Sequence, residues 1–220
     1  MSTEGLLAYC RPGFEPDLAA ELGHHAGVQG IPAYAKTERG SAFVMLLGAP
    51  RDLLAEAIPY SQLVFGRQKY ALIDALEDLD PLDRISPVLE ALGGKGRYGD
   101  LSVETPDSDD ARQLAGLAKA FGNALRPALR KRGMLTDKPN PKLPMLHVVF
   151  VRNNHLLLAS STAGDRSPWP MGIPRLKQDS RAPSRSAMKL DEALACLMTP
   201  AERMDLISEG MSAADLGAAP

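Results

Sequence analysis

The sequence predicts an α/β protein of the α+β kind, and three observations carry that reading. Between residues 5 and 73, short apolar runs of strand character alternate with helical spacing in the order βαββαβ. With antiparallel strands that order is the ferredoxin-like signature, in which both helices cover one face of the sheet. Further on, two apolar runs flank Asn153-Asn154, the pattern of a β-hairpin. After a stretch rich in proline and arginine at 164–187, helical patterning returns at 188–198.

The elements follow in order. Residues 5–10 (GLLAYC) read as a strand, after which Arg11-Pro12-Gly13 turns the chain. Phe14, Leu18, Ala19 and Leu22 recur at helical spacing and predict a helix over 14–26. Two strands with a turn near Arg39-Gly40 are expected next, then a helix at 50–57 and a strand at 63–73. From Asp83 the segment DRISPVLEAL reads as a helix interrupted by Pro87, and GDLSVET as a strand. Residues 107–133 are helical in pattern, with acids at the start and bases before Gly133, which suits the helix macrodipole. Pro127 is expected to split this stretch into two helices. Residues 144–162 form the hairpin, making a small α/β unit. The 164–187 stretch has almost no periodicity and reads as a linker or binding loop. Pro200 is well placed to open a last helix over 200–209.

Composition removes several classes of function. With 220 residues, 45% hydrophobic and 24% charged, the chain can build a core and does not read as disordered. No apolar run reaches the roughly 18 residues of a membrane helix, so no membrane partner is expected. The amino terminus lacks a basic start, an apolar stretch and a small-residue cleavage site, so the expected location is cytoplasmic. Two cysteines, Cys10 and Cys196, make neither a disulfide scaffold nor a zinc site, and both are expected as buried thiols. His24 and His25 are adjacent and point about 100° apart on a helix, unlike an i, i+4 ligand pair. His147 and His155 have no cysteine or carboxylate cluster near them in sequence. No metal is expected.

The near-neutral net charge of −2 hides an asymmetry. Residues 126–189 hold thirteen Lys and Arg against three Asp, a local charge of +10, and the rest of the chain is at −12. An excess of that size suits a surface that meets phosphates, or else a solvated face balanced by the acidic half. The candidate RNA contacts are Arg126, Arg130, Lys131, Arg132, Lys138, Lys142, Arg175, Lys177, Arg181 and Arg185. Aromatic residues are few and Trp169 is the only tryptophan, so recognition by backbone shape and charge is expected before base stacking.

The ending SAADLGAAP reads as a small-residue strand carrying Asp215, then a glycine, as where an α/β fold brings backbone close to a nucleotide or cofactor. PSRSAMKLDEAL followed by DLGAAP resembles the entry to the FtsJ-type 2′-O-ribose methyltransferases. More narrowly, YCRPGFEPDLAAEL, LVFGRQ, LRPALRKRGML, HVVFV, SPWPMGIPRLK and APSRSAMKLDEAL resemble the bacterial large-subunit ribosomal RNA 2′-O-ribose methyltransferase M family. The likeness runs from about residue 7 to the last residue. It implies a ferredoxin-like unit over 1–78, a THUMP RNA-binding domain over 79–163 and a linker over 164–187. The first elements of a Rossmann-like methyltransferase domain would occupy 188–220. In the family two more glycines, a tryptophan and the catalytic sheet follow the position of Pro220, so the chain is expected to be the front of a longer enzyme.

The resemblance also implies chemistry. Methyl transfer to a ribose 2′-hydroxyl needs the nucleophile aligned with the methyl and a base for its proton. FtsJ-type enzymes use a Lys-Asp-Lys-Glu tetrad with S-adenosyl-L-methionine as cofactor, and Lys189 matches the first lysine. The other three members would lie beyond Pro220, so the fragment is expected to be inactive alone. Ser186 matches a cofactor-contacting position, and Gly217, Ala218, Ala219 and Pro220 fall on the cofactor loop. Ser186 also suits a helix N-cap. Asp215 is expected to fix the loop rather than to catalyse. The implied partner is large-subunit ribosomal RNA, not DNA, for a monomeric parent. Residues 188–220 carry Leu190, Ala193, Leu194 and Leu197 on one face, which invites self-association of the fragment. The alternatives are a stand-alone THUMP-type RNA binder without catalysis, and a small dimer whose basic stripe meets an acidic partner.

Overall fold

In the computed structural model the structure describes residues 3–176, 186–208 and 210–212. They fall into two compact units, Met1–Gly172 and Ile173–Pro220. The first unit begins with β1 (Gly5–Tyr9), α1 (Glu15–Val28), β2 (Tyr34–Thr37), β3 (Phe43–Leu47), α2 (Arg51–Ala57) and β4 (Gln68–Leu76). It continues with α3 (Ile85–Ala91), β5 (Asp100–Glu104), α4 (Asp109–Arg112), α5 (Ala115–Lys131), β6 (Met145–Arg152) and β7 (His155–Ser161). The second unit holds α6 (Ser186–Leu197) and α7 (Pro200–Leu206). No helix among the described residues is long and apolar enough to cross a membrane.

The βαββαβ order is present, and both halves of the first unit join in one seven-stranded sheet, β2-β3-β1-β4-β7-β6-β5. All neighbours are antiparallel except β5 and β6, which run parallel across the α4–α5 crossover. Alternation along the strands makes two apolar faces. On one, Leu6, Ala8, Val44 and Leu46 meet Leu18, Leu22 and Leu54 of α1 and α2. The same face of the second half packs Leu146, Val148, Phe150, Leu156 and Leu158 against Val88 of α3 and Phe121, Leu125 and Leu129 of α5.

The other face has no helix in its core, yet Leu7, Leu72, Val149 and Leu157 are fully buried there beside Phe43 and Met45. The sheet covers that face itself by curling. Tyr9 on β1 donates its hydroxyl to Glu104 Oε1 on β5 at 3.1 Å. These strands are four places apart, and a flat sheet would separate them by about 19 Å at the usual strand spacing. Glu38, just past the end of β2, and Arg152, the last residue of β6, pair at 3.2 Å.

Four local expectations are corrected. Pro127 does not split its helix, because α5 runs through it. The carbonyl deprived of its donor is that of Asn123; both residues lie on the exposed face, while Ala118, Phe121, Leu125 and Leu129 keep the buried face continuous. The break falls earlier, between α4 and α5. Nor does Pro87 interrupt α3, since it is the third residue of that helix, where an N–H has no intrahelical acceptor to lose. The strand expected over 63–73 begins only at Gln68; the N–H groups of Val64 and Phe65 are taken by the Glu21 carboxylate instead of a strand. Phe14 stays outside the core, 40% exposed and stacked on Phe65, and Glu15 is the buried residue at the start of α1.

Residues 162–172, expected as hairpin end and linker, are held to the sheet. The Gln68 side chain accepts from Ser167 N–H at 2.9 Å and donates to the Ser167 and Trp169 carbonyls. Gly172 (φ +71°) passes so near Arg67 that a Cβ would lie 1.8 Å from its carbonyl oxygen. No side chain fits there.

Candidate nucleic-acid interface

The basic window begins on α5. Arg126 is half-buried, and its guanidinium donates to Asp100 Oδ1 and to the Leu101 carbonyl, each at 2.7 Å. Burial pushes the Asp100 carboxyl up, but the Arg126 bonds and the Leu101 N–H more than offset it and hold it below its usual value. Arg130 donates to the carbonyls of Thr136 at 3.3 Å and Asp137 at 2.8 Å, closing the turn after α5. Both arginines therefore brace the fold that presents the patch. Lys131, Arg132, Lys138 and Lys142 are exposed and have no ion pair among the described residues. They sit at the end of α5 and on the 133–144 loop, a single surface region.

That loop is shaped by backbone pairing with residues 98–99. Tyr98 N–H donates to the Met134 carbonyl, Thr136 N–H to Tyr98, Gly99 N–H to Pro144 and Asn140 N–H to Gly99. Tyr98 and Pro144 in turn form a wall of a cleft of about 330 Å³ whose rim carries Arg51, Lys95 and Arg97. At its floor Lys69 is 2% exposed, and its ammonium donates to the carbonyls of Ala55 at 2.8 Å and Ile58 at 2.6 Å, at the end of α2, and to Asp165. Burial lowers the Lys69 pKa, and the Asp165 carboxylate opposes that shift.

A second polar group lies on the concave face of the sheet. Glu104 is buried and accepts from Tyr9 at 3.1 Å and from Ser102 at 3.0 Å. His147 stacks on Tyr70 with ring centroids 3.9 Å apart, and its Nε2 is 2.8 Å from Ser161 Oγ. Its Nδ1 is 3.6 Å from Glu104 Oε1. Burial raises the Glu104 pKa; the His147 ring and the Tyr70 and Ser102 hydroxyls outweigh it, leaving the carboxyl below its usual value. Burial and the Glu104 charge push Tyr9 and Tyr70 well up. These tyrosines stay protonated donors. Among the described residues no group of three His, Cys, Asp or Glu could hold a metal.

The expected site residues are only partly brought together. Arg175 is exposed in the second unit. Lys177, Arg181, Arg185, Asp215, Gly217, Ala218, Ala219 and Pro220 lie outside the described residues, as does the Ser186 side chain. Ser186 is the first residue of α6, and Lys189, exposed, stands one turn on. Cys10 is buried as expected, but Cys196 is exposed, on a helix whose Leu190 and Leu197 are exposed as well. Arg51, Lys95 and Arg97 fall outside the basic window. The one local signal for two of them is Gly93-Gly94-Lys95-Gly96-Arg97, where bases alternate with glycine.

Residues 3–70 match the model of the RlmM ferredoxin-like domain, and residues 83–162 that of ribosomal RNA large subunit methyltransferase M, N-terminal. The chain is 57% identical over 216 residues to the ribosomal RNA large subunit methyltransferase M of Xanthomonas axonopodis pv. citri (strain 306). The chain belongs to that family. The proteins of the same name from Xanthomonas campestris pv. campestris (strain B100) and Xanthomonas oryzae pv. oryzae (strain KACC10331 / KXO85) are each 56% identical. Each alignment covers 98% of this chain and 62% of the relative, so the chain spans less than two thirds of those family members' length. A solved structure of a possible methylase from Clostridium difficile 630 is 14% identical, with a TM-score of 0.44 over 76% of this chain and 42% of that one. At that score no argument rests on it.

Proposed function

We propose that the protein carrying these residues transfers a methyl group from S-adenosyl-L-methionine to a cytidine ribose 2′-hydroxyl of large-subunit ribosomal RNA. In this reading 1–78 is the ferredoxin-like unit, 79–163 a THUMP domain that binds the RNA, and 188–220 the entry to a Rossmann-like methyltransferase domain. The observation that carries it is the identity of 56–57% over 216 residues, which extends through α6. The exposed bases at the end of α5 and on the 133–144 loop support the RNA-binding part, since cations without an ion pair among the described residues are what a phosphate backbone needs.

S-adenosyl-L-methionine would supply the electrophilic methyl. Ser186 and Lys189 fall one turn apart on α6, and the resemblance gives the first a cofactor contact and the second a place in the tetrad. Lys189 takes the role of first tetrad lysine, placing or accepting the 2′-hydroxyl proton. Among the 220 residues only Lys189 matches the tetrad, so these residues alone bind RNA without methylating it. The protein acts in the cytoplasm as a monomer.

The test is methyl transfer to ribosomal RNA lacking the modification. In the whole protein Lys189→Ala should lower transfer by about 10²–10⁴-fold, the usual worth of a proton-transfer group, with RNA affinity unchanged. Replacing Lys131, Arg132, Lys138 and Lys142 by alanine should weaken binding to different RNAs alike. The salt slope should drop by about 0.7–0.9 for each phosphate no longer neutralised. Methyl transfer that survives Lys189→Ala removes the catalytic assignment, and an unchanged salt slope removes the RNA-binding one.

A further inference from the structure

The 330 Å³ cleft takes its three bases, Arg51, Lys95 and Arg97, from outside the basic window and has no part in the reading above. Two separate segments build its cationic rim: the first residue of α2, and the loop between α3 and β5. In that loop Gly94 and Gly96 take φ of +74° and +104°, a left-handed conformation that favours glycine. The loop thus turns on both sides of Lys95. Ser160 and Thr162, at the end of β7, add hydroxyls to the lining.

The balance of charge inside the cleft is what singles it out. Its two carboxylates are Asp52 and Asp165. Asp165 is spent: one oxygen accepts the Tyr60 N–H at 2.8 Å and the other pairs with Lys69. Lys69 is spent as well, with three acceptors for its three ammonium hydrogens. Asp52 is 89% exposed and reaches Arg51 at only 3.6 Å, a contact of little worth in water. Lys95 and Arg97 have no ion pair among the described residues. The floor is therefore neutral and hydrogen-bonded, while the rim gathers uncompensated positive charge over a concavity. Like charges converging on one cleft repel until an anion enters it.

The cleft is also continuous with the basic surface. Tyr98 and Pro144 line it; Tyr98 is backbone-paired to Met134 and Thr136 of the 133–144 loop that carries Lys138 and Lys142, and Pro144 is the last residue of that loop. Its volume is near the lower end for small-ligand pockets, suited to one nucleotide and not to a duplex. We propose that this cleft, where the two halves of the first unit meet, binds a phosphate group of an unpaired RNA strand, held by Arg51, Lys95 and Arg97. Ser160 and Thr162 supply hydroxyl donors to the same group. The proposal rests on the RNA-binding reading above and adds a single-strand phosphate subsite to it.

The test uses the 220-residue chain and a short single-stranded RNA of mixed sequence, prepared with a 5′-phosphate or a 5′-hydroxyl. The R51A/K95A/R97A variant should bind on the order of tenfold more weakly near 0.1 M salt, with a salt slope lower by about 0.7 for each phosphate no longer held. Equal weakening toward both RNAs assigns the subsite to a backbone phosphodiester; weakening only toward the 5′-phosphorylated RNA assigns it to a terminal phosphate. If that variant binds like wild type while the Lys131, Arg132, Lys138 and Lys142 variant does not, the cleft is no phosphate site and the broader reading stands. If the wild-type chain binds neither RNA in a salt-dependent way, both fall. Should the triple variant fail to fold, amide chemical shifts of the wild-type chain decide. Inorganic phosphate, against chloride at equal ionic strength, should move Gly94–Arg97 and Ser160–Thr162, and stationary shifts there overturn the proposal.

Discussion

On α1 and α5, Leu18, Leu22, Leu125 and Leu129 are completely buried, whereas on α6 Leu190 and Leu197 are 63% and 82% exposed. The residue type and the helical spacing are the same. The difference is what lies opposite. α1 and α5 each meet a strand face whose alternate residues are apolar, β1 and β3 in one case and β5–β7 in the other. For Leu190 and Leu197 no comparable apolar surface is present among the described residues. An amphipathic stripe announces that a helix needs a partner, and it carries no information about where that partner is.

The largest effect that sharpens this contrast comes from the buried side. Leu125→Ala should destabilise residues 3–172 by about 3–4 kcal/mol, within the usual range for a leucine cavity, as read by urea unfolding. A loss below about 1 kcal/mol would mean that the face under α5 is loosely packed. Lys69→Ala should follow at about 3 kcal/mol. That is the lower end for breaking a buried ion pair, because Asp165 is one third exposed and water solvates part of the charge left behind. The same change also strips the last carbonyls of α2 of their donor.

Acid should act on the same unit and leave α6 aside. Burial raises the carboxyls of Glu15, Asp100 and Glu104, and stronger hydrogen bonds bring each below its usual value. The donors are the N–H groups of Ala42 and Gly13 for Glu15, and Arg126 for Asp100. For Glu104 they are the polar groups around it on the concave face. A folded pKa below the unfolded one gives stability that is complete above the unfolded value, about 3.9 for Asp and 4.3 for Glu. That stability is lost as pH falls through the folded value. The unfolding midpoint should hold from pH 7 to about 4.5 and drop below it. Glu104→Gln should cost about 1.5–3 kcal/mol at neutral pH, the scale of hydrogen bonds to a charged group, and should flatten part of the acid drop. An unchanged acid profile would show that Glu104 is not anchoring the curl between β1 and β5.

The periodic part of this architecture could be read directly. The βαββαβ order and the hairpin at Asn153-Asn154 follow from alternation at two residues or recurrence at 3.6, which are properties of neighbours in sequence. The curl was not readable, because the Tyr9–Glu104 bond joins residues 95 positions apart and neither residue stands out in its own strand. Pro87 and Pro127 misled for a related reason. The cost of a proline depends on whether the lost hydrogen bond falls in a first turn or on a wet face, which three-dimensional placement decides. The charge count found the surface around Lys131, Arg132, Lys138 and Lys142. It missed Arg51, Lys95 and Arg97 because they lie in the acidic remainder of the chain, and only folding sets them beside the basic loop.

The smallest effect on stability concerns α6 itself, and it is the most direct test of the contrast. With Leu190 and Leu197 exposed, replacing both by serine removes little buried area, so the unfolding free energy of residues 3–172 should change by less than about 0.5 kcal/mol, as for ordinary surface positions. The effect should appear in association instead. Burying one leucine is worth about 1.5–3 kcal/mol, and two leucines meeting two more across a symmetric contact could hold copies of the 220-residue chain together at high concentration. Sedimentation velocity over a concentration series should then show wild-type chain associating and the double serine variant staying monomeric. A wild-type monomer at every concentration, with slow hydrogen exchange at 188–197, would mean that α6 buries its leucines within its own chain. The two regions would then differ less than their exposures suggest.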